Sequence, residues 1–229
     1  MKILALDAST EYLSLALRVG PDTYQHDQHA GQAASQLILP QIQLLLDKAN
    51  IELSELDGIA FGAGPGSFTG VRVACGVAQG LAFGANIPLV GVNVLMALAE
   101  ASGADRVIAA SDARMREVYH AAYERKADGW SEVHAAGVYK PNDVPSVEGS
   151  DWVGVGTAWK VYQDVLAERY QQQIVKTLPE MTPMAEAIMT LAIPTFKAGL
   201  AVPASEARPI YIRNRVALTA KERAEGQRL

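Results

Sequence analysis

Two short segments of the sequence carry the residue types that phosphate chemistry uses. In Asp7-Ala-Ser9-Thr10, a carboxylate and two hydroxyl groups follow an apolar run. In Gly62-Ala-Gly-Pro-Gly-Ser-Phe-Thr-Gly70, the glycines allow a sharp turn, and Ser67 is positioned to cap a helix whose free amide groups attract phosphate. Together the segments predict a nucleotide or phosphate site made of Asp7, Ser9, Thr10, Gly64, Gly66 and Ser67.

Each segment also has a plainer interpretation. The carboxylate and hydroxyl groups of the first are equally suited to satisfying backbone groups within a turn. The second lacks the lysine of a Walker loop and matches G-x-G-x-x-G only loosely, so a tightly packed turn explains its glycines as well. The spacing of the residues leaves both interpretations open.

Histidine and cysteine residues are scattered and lack the spacing of a metal site, although their order in the sequence leaves a Ser–His–acid site open. His26 and His29 are three residues apart in a predicted strand, which places them on opposite faces. His120 and His134 are isolated, and no H-x-x-x-H, H-E-x-x-H or G-x-S-x-G motif is present. The sequence therefore predicts no metal ligand and no catalytic residue.

The elements that position the two segments are alternating strands and helices. Strands are predicted at residues 3–7, 12–19, 22–28, 58–61, 89–92, 106–111, 118–123, 133–138 and 152–156. Helices are predicted at residues 33–50, 67–84, 158–170 and 184–200. This order indicates an α/β fold with two lobes, each a mixed sheet flanked by helices. The boundary is placed between a lobe of residues 1–102 and a smaller lobe of residues 103–229.

The helix predicted over residues 67–84 is built largely from small residues. One i, i+4 stripe consists of Gly70, Ala74, Ala78 and Ala82, and another consists of Gly76, Gly80 and Gly84. Each interior glycine costs roughly 1 kcal/mol relative to alanine, a cost that close packing against another backbone offsets. The spacing does not say whether that backbone belongs to this chain or to another.

Charge and cysteine content limit the environment and the partners of the chain. The 229 residues carry a net charge of -5, divided into -9 over residues 1–207 and +4 over residues 208–229. An acidic body disfavours direct binding to nucleic acid, and the basic tail is either a solvated terminus or a contact for RNA or an acidic partner. With Cys75 as its single cysteine, the chain is expected to be cytoplasmic. It is expected to cross no membrane, because Gln79, Asn86 and Pro88 interrupt its one long uncharged stretch.

Five motifs, spread over nearly the whole chain, are similar to those of a known family. They are Leu4-Ala-Leu-Asp-Ala-Ser-Thr10, Ile38-Leu-Pro40, the segment Gly62–Arg72, Ser111-Asp-Ala-Arg114 with Glu117-Val-Tyr119, and Pro209-Ile-Tyr-Ile-Arg-Asn214. The chain resembles the bacterial TsaB (YeaZ) family. The glycine motif and the D-A-R…E-V-Y pair carry most of this resemblance.

The resemblance implies an actin-like ATPase (ribonuclease-H-like) fold and a role in tRNA modification. The modification is N6-threonylcarbamoylation of the adenosine next to the anticodon, in tRNAs that read codons beginning with A. In that family the larger paralogue TsaD is the transferase, TsaB is its non-catalytic dimerisation partner, and the ATPase TsaE joins them. The resemblance implies contact with tRNA only through the complex, and a homodimer when TsaD is absent.

One departure from the paralogue supports a non-catalytic role. TsaD carries metal-binding histidines just after the strand that corresponds to residues 89–92, whereas residues 93–98 here contain none. This also makes a metallopeptidase remote. The alternative is a small ATP-dependent phosphotransferase or ATPase of the actin-like superfamily. No cofactor is expected otherwise, apart from weak or partner-dependent ATP or ADP binding.

The resemblance also assigns a partner surface. In the family, the helices matching residues 33–50 and 67–84 pack against their counterparts in the partner as a helical bundle. The expected interface residues are Leu37, Leu44, Ala74 and Ala78.

Overall fold

The first half of the chain forms a five-stranded mixed sheet. The computed structural model describes residues 1–213. The strands are β1 (Lys2–Asp7), β2 (Tyr12–Val19), β3 (Asp22–His29), β4 (Gly58–Gly64) and β5 (Leu89–Asn93), in the order β3-β2-β1-β4-β5. β1, β2 and β3 pair antiparallel, and β4 and β5 are added in parallel to β1.

The second sheet repeats this arrangement. Its strands are β6 (Arg106–Asp112), β7 (Val118–Lys126), β8 (Gly129–Tyr139), β9 (Trp152–Val155) and β10 (Ile174–Leu178), in the order β10-β9-β6-β7-β8. β6, β7 and β8 are antiparallel, and β9 and β10 are parallel to β6. Two sheets of identical topology confirm the predicted α/β fold with a mixed sheet in each lobe.

Helices cover both faces of the first sheet because its strands alternate apolar side chains between the two faces. The α-helices within residues 1–213 are α1 (Ala34–Ala49), α2 (Phe68–Ala85), α3 (Val94–Ser102), α4 (Ala158–Val161), α5 (Gln163–Arg169) and α6 (Ala185–Lys197). Leu4, Leu6 and Phe61 face α1 and α2, whereas Ile3 and Ala5 face α6. None of the helices in residues 1–213 combines the length and hydropathy of a membrane span.

The structure adds two elements that the sequence pattern missed, and it divides a third. Helix α3 joins the two sheets: Ala97 packs under the first and Leu95 and Leu98 under the second. Strand β10 is mostly exposed, so its sequence lacks an apolar run. The helix expected at residues 158–170 is two short helices that meet at Tyr162.

The boundary between residues 102 and 103 stays a prediction. The structure shows that α6, which follows the second sheet in the sequence, returns to pack on the first.

Candidate functional sites

The carboxylate of Asp7 is closed off inside the protein at the end of β1. Its Oδ1 accepts hydrogen bonds from the backbone amide of Ser9 at 3.0 Å and from the Ser9 hydroxyl at 2.9 Å. Asp7 is fully buried and Ser9 nearly so, and Asp7 Oδ2 has no hydrogen-bond partner among the described residues. Burial raises the pKa of Asp7 to about 6, although the two hydrogen bonds from Ser9 oppose that rise.

The glycine loop before α2 packs directly onto this turn. A Cβ atom at Gly62 would overlap Asp7 Oδ2, and one at Gly70 would overlap the backbone oxygen of Ala8. The backbone amide of Ser67 donates a hydrogen bond to the backbone oxygen of Ser9 at 2.7 Å. These contacts show that the glycines allow two backbone segments to approach each other, as the packed-turn interpretation requires.

The six residues predicted for a nucleotide or phosphate site do lie together, but most of their groups are occupied. Thr10 Oγ1 accepts a hydrogen bond from the Tyr12 amide at 3.1 Å, and Ser67 Oγ caps α2 by accepting one from the Gly70 amide at 3.4 Å. Gly66 contacts Ser9, and Gly64, with a φ of 108°, lies against the backbone oxygen of Ile210. Nucleotide binding at these residues stays a prediction.

The stripes of α2 face opposite ways. Ala74 and Ala78 are fully buried in the core between α2 and the first sheet. The alanine stripe therefore packs against the chain's own sheet, and the assignment of Ala74 and Ala78 to a partner interface stays a prediction. A Cβ atom added at Gly76, Gly80 or Gly84 would meet nothing within 4 Å, so the glycine stripe faces outward.

Helices α1 and α2 also carry exposed apolar side chains. Leu44 of α1 is 48% exposed and Leu39 is 51% exposed, whereas Leu37 is half-buried against the core. Phe83 of α2, which no motif or spacing in the sequence indicates, is 82% exposed. We call these exposed residues of α1 and α2 the helical face; it consists of Leu39, Leu44, Gly76, Gly80, Phe83 and Gly84.

Residues 201–213, here called the strap, run from the first lobe to the second. Val202 pairs with Leu89 at the edge of the first sheet, and the Gln79 side-chain amide donates hydrogen bonds to the backbone oxygens of Ala204 and Ala207 at 3.3 and 3.0 Å. The amide of Ile210 donates to the backbone oxygen of Ala63 at 2.7 Å, which ties the strap to the glycine loop.

The strap ends at the D-A-R…E-V-Y motif. Arg213 Nη2 donates to Glu117 Oε2 at 2.5 Å and to the backbone oxygen of Ala113 at 3.1 Å. The hairpin between these residues is strained, since Arg114, Met115 and Arg116 all have φ between 53° and 59°. The prediction that the basic tail contacts RNA or a partner concerns residues that lie mostly outside the described part of the chain. These are Arg215, Lys221, Arg223 and Arg228, and Asn214 of the last motif also lies outside it.

The scattered histidines have separate surroundings. His120 is fully buried, hydrogen-bonded to the Tyr170 hydroxyl at 2.9 Å, and burial lowers its pKa to about 3. His26 contacts Gln28 on the edge strand, and His134 contacts the backbone oxygen of Ser146. In residues 1–213, no group of three or more His, Cys, Asp or Glu side chains is placed to hold a metal ion.

Comparison with known proteins agrees with this fold along nearly the whole chain. Residues 26–221 match the family described as "TsaD: tRNA N6-adenosine threonylcarbamoyltransferase". The tRNA threonylcarbamoyladenosine biosynthesis protein TsaB of Escherichia coli is 39% identical over 226 residues, covering 95% of this chain and 96% of that protein. TsaB of Haemophilus influenzae is 35% identical over 229 residues, covering 94% and 95% of the two chains.

A solved structure shows the same architecture. YeaZ from Pseudomonas aeruginosa superimposes with a TM-score of 0.85 at 39% identity, covering 92% of this chain and 99% of that one. The resemblance and the fold class inferred from the motifs are thereby confirmed. The chain belongs to the TsaB (YeaZ) proteins of the TsaD family.

Proposed function

We propose that this chain is a non-catalytic subunit required for N6-threonylcarbamoyladenosine formation in tRNA. It binds and supports a TsaD-type transferase, with the ATPase TsaE as a further component, and contacts tRNA through that complex in the cytoplasm. Its relatives are named threonylcarbamoyladenosine biosynthesis proteins, which supports a role of this chain in the same tRNA modification. The helical face supports the proposal that this chain binds a partner, and the closed Asp7 turn supports the proposal that it is not the catalytic subunit.

The helical face is the observation that carries the partner role. Leu39, Leu44 and Phe83 place three large apolar side chains on two adjacent helices that cover the same side of one sheet. Exposed apolar surface of this kind is typical of protein interfaces. The neighbouring glycines leave room for a second backbone to approach α2 closely. A helix of the partner fits such a surface.

The Asp7 turn supports the non-catalytic part of the proposal. A phosphotransferase of the actin-like superfamily needs its acid and hydroxyl groups to face the nucleotide. Here Asp7 and Ser9 are hydrogen-bonded to each other and buried, and Gly62 covers the remaining carboxylate oxygen. The ATP-dependent alternative requires this turn to open.

Co-purification of the chain with its cognate TsaD-type protein and TsaE tests the proposal. The wild type is expected to form the complex, and depletion of the chain is expected to lower the threonylcarbamoyladenosine content of tRNA. Phe83→Arg is expected to lose both the complex and the modification, because it places a charge in the apolar interface. Val175→Arg is the matched control, since Val175 is an exposed apolar residue on β10, in the other sheet.

Two outcomes contradict the proposal. One is a Phe83→Arg variant that keeps both complex and modification; circular dichroism verifies that each variant is folded. The other is stoichiometric Mg-ATP binding with turnover by the isolated chain, which favours the phosphotransferase alternative.

A further inference from the structure

A groove of about 380 Å³ lies between α2 and the strap, beside the helical face. Helix α2 contributes Arg72, Cys75, Gly76 and Gln79, whose spacing of three, four and seven residues places them on one side of the helix. The strap contributes Arg208 and Tyr211 from the opposite wall. The groove therefore depends on the docking of the strap, which Gln79 secures through its two hydrogen bonds.

Two guanidinium groups dominate the chemistry of this groove. The Arg72 guanidinium lies 3.3 Å from the centre of the Phe68 ring and 4.8 Å from that of Tyr211, and its Nη1 donates to the backbone oxygen of Phe68 at 2.7 Å. Arg208 is exposed on the other wall. Neither arginine forms an ion pair within residues 1–213, and no described residue that lines the groove is acidic.

The other polar groups of the groove are occupied or neutral. The Gln79 amide is already committed to the strap. Burial raises the pKa of the Cys75 thiol, and the nearby positive charge of Arg208 offsets only part of that rise. The thiol is therefore neutral at physiological pH. The groove offers an incoming group two positive charges and the fixed hydrogen-bond donors of Arg72.

We propose that this groove receives a carboxylate side chain, Asp or Glu, from the TsaD-type partner. This inference rests on the proposed function and adds an electrostatic anchor to the apolar helical face. Guanidinium groups bind carboxylates through paired, charge-assisted hydrogen bonds. Arg72, Gly76 and Gly80 follow one another at intervals of four residues, so a protein that covers the helical face also reaches the groove.

A second copy of this chain fits the groove less well than a different protein. Asp47 is the only acid of α1, and its Oδ1 already accepts a hydrogen bond from Gln43 at 2.8 Å. Helix α2 contains no acid, and it brings Arg72 to the same surface. Two copies that met through this surface would both present cations, whereas an acidic partner complements them.

Charge reversal tests the proposal by measuring the dissociation constant for the cognate TsaD-type protein at low and at high salt. Arg208→Glu is expected to weaken binding by roughly tenfold at low salt and by less at high salt, because the lost attraction is electrostatic. Arg72→Lys keeps the charge but loses the paired donors, and is expected to weaken binding more moderately. Lys176→Glu, an exposed charge reversal on β10, is the matched control and is expected to bind like the wild type.

The outcomes separate this inference from the proposed function. If the wild type binds the TsaD-type protein and neither Arg208→Glu nor Lys176→Glu changes the dissociation constant, the groove proposal is wrong and the proposed function stands. A wild type that binds no TsaD-type partner overturns both. If Arg208→Glu changes only self-association, measured by sedimentation, the occupant is a second copy and the proposal is wrong. If changing an Asp or Glu of the partner to Arg restores the binding that Arg208→Glu loses, the groove proposal is supported.

Discussion

Glycines occur in two regions of this molecule that have opposite surroundings. Those of the loop and the first turn of α2 lie against the Asp7–Ser9 turn, and a Cβ atom at Gly62, Gly66 or Gly70 would strike neighbouring atoms. Those farther along α2, Gly76 and Gly80, face open space. The residue types that suggest catalysis are therefore enclosed in the first region, while the surface that another protein can reach is in the second.

The largest effect is expected for Gly70→Ala, which adds a methyl group where the backbone oxygen of Ala8 lies. Backbone cannot move aside as a flexible side chain can, so we expect the free energy of unfolding to fall by about 3 kcal/mol. Urea unfolding followed by circular dichroism measures this change. A loss below about 1 kcal/mol would falsify the claim that the two segments are closely packed.

A pH-dependent effect is expected for the buried Asp7 carboxyl. Its pKa is about 6 in the folded protein against an ordinary value of 3.8, so the folded state binds this proton more tightly than the unfolded state. Asp7 therefore lowers the stability of the protein above pH 6, and this penalty disappears as the pH falls. Relative to Asp7→Asn, the wild type should gain about 2 kcal/mol of unfolding free energy between about pH 7 and about pH 4.

The comparison with Asp7→Asn isolates this carboxyl from the other acidic groups. Asn retains an oxygen that can accept the two hydrogen bonds from Ser9, but it does not titrate. Other acids such as Glu55 and Glu124, whose pKa values are lowered mainly by hydrogen bonds from Lys2 and Lys126, are present in both proteins. Parallel stability profiles of wild type and variant would show that Asp7 titrates normally, and hence that its site is open to water.

Much of the fold follows from patterns that are local in the sequence. Strand β2 is predicted at its observed bounds because its ends are marked by turns, and the ends of α1 and α2 are predicted within one residue. The pattern misses α3, whose apolar residues lie on every side because it is buried between two sheets. It misses β10 because an exposed edge strand needs few apolar residues.

The candidate sites are less predictable, since they depend on which way a face points. The two stripes of α2 are evident from spacing, but spacing alone does not tell which one faces the sheet. The structure buries Ala74 and Ala78, because their methyl groups fill space against the core, and leaves the glycines outside. The groove joins residues more than 120 positions apart, such as Gln79 and Ala207, and no local pattern reveals it.

A moderate effect, confined to binding, is expected for Phe83→Ala, which changes the outward-facing part of α2. Because the ring is 82% exposed, the free energy of unfolding should change by less than about 0.5 kcal/mol. Affinity for the TsaD-type partner should fall by about 2 kcal/mol, as expected for an aromatic anchor in an interface. Calorimetric titration measures the affinity, with Val175→Ala as control. A stability loss without an affinity loss would show that Phe83 serves the fold instead.

A small effect on stability, opposite in sign to that of Gly70→Ala, is expected for Gly76→Ala. The new methyl group meets nothing in the isolated chain, and alanine favours the helix, so the free energy of unfolding should rise by about 0.5–1 kcal/mol. The same methyl group would occupy the space through which a partner backbone approaches α2, so affinity for that partner should fall although the protein is more stable. Urea unfolding and calorimetric titration of one preparation measure both quantities. A gain in stability with unchanged affinity would show that the partner does not approach α2 at this turn, and would move the contact toward Phe83 and Leu44.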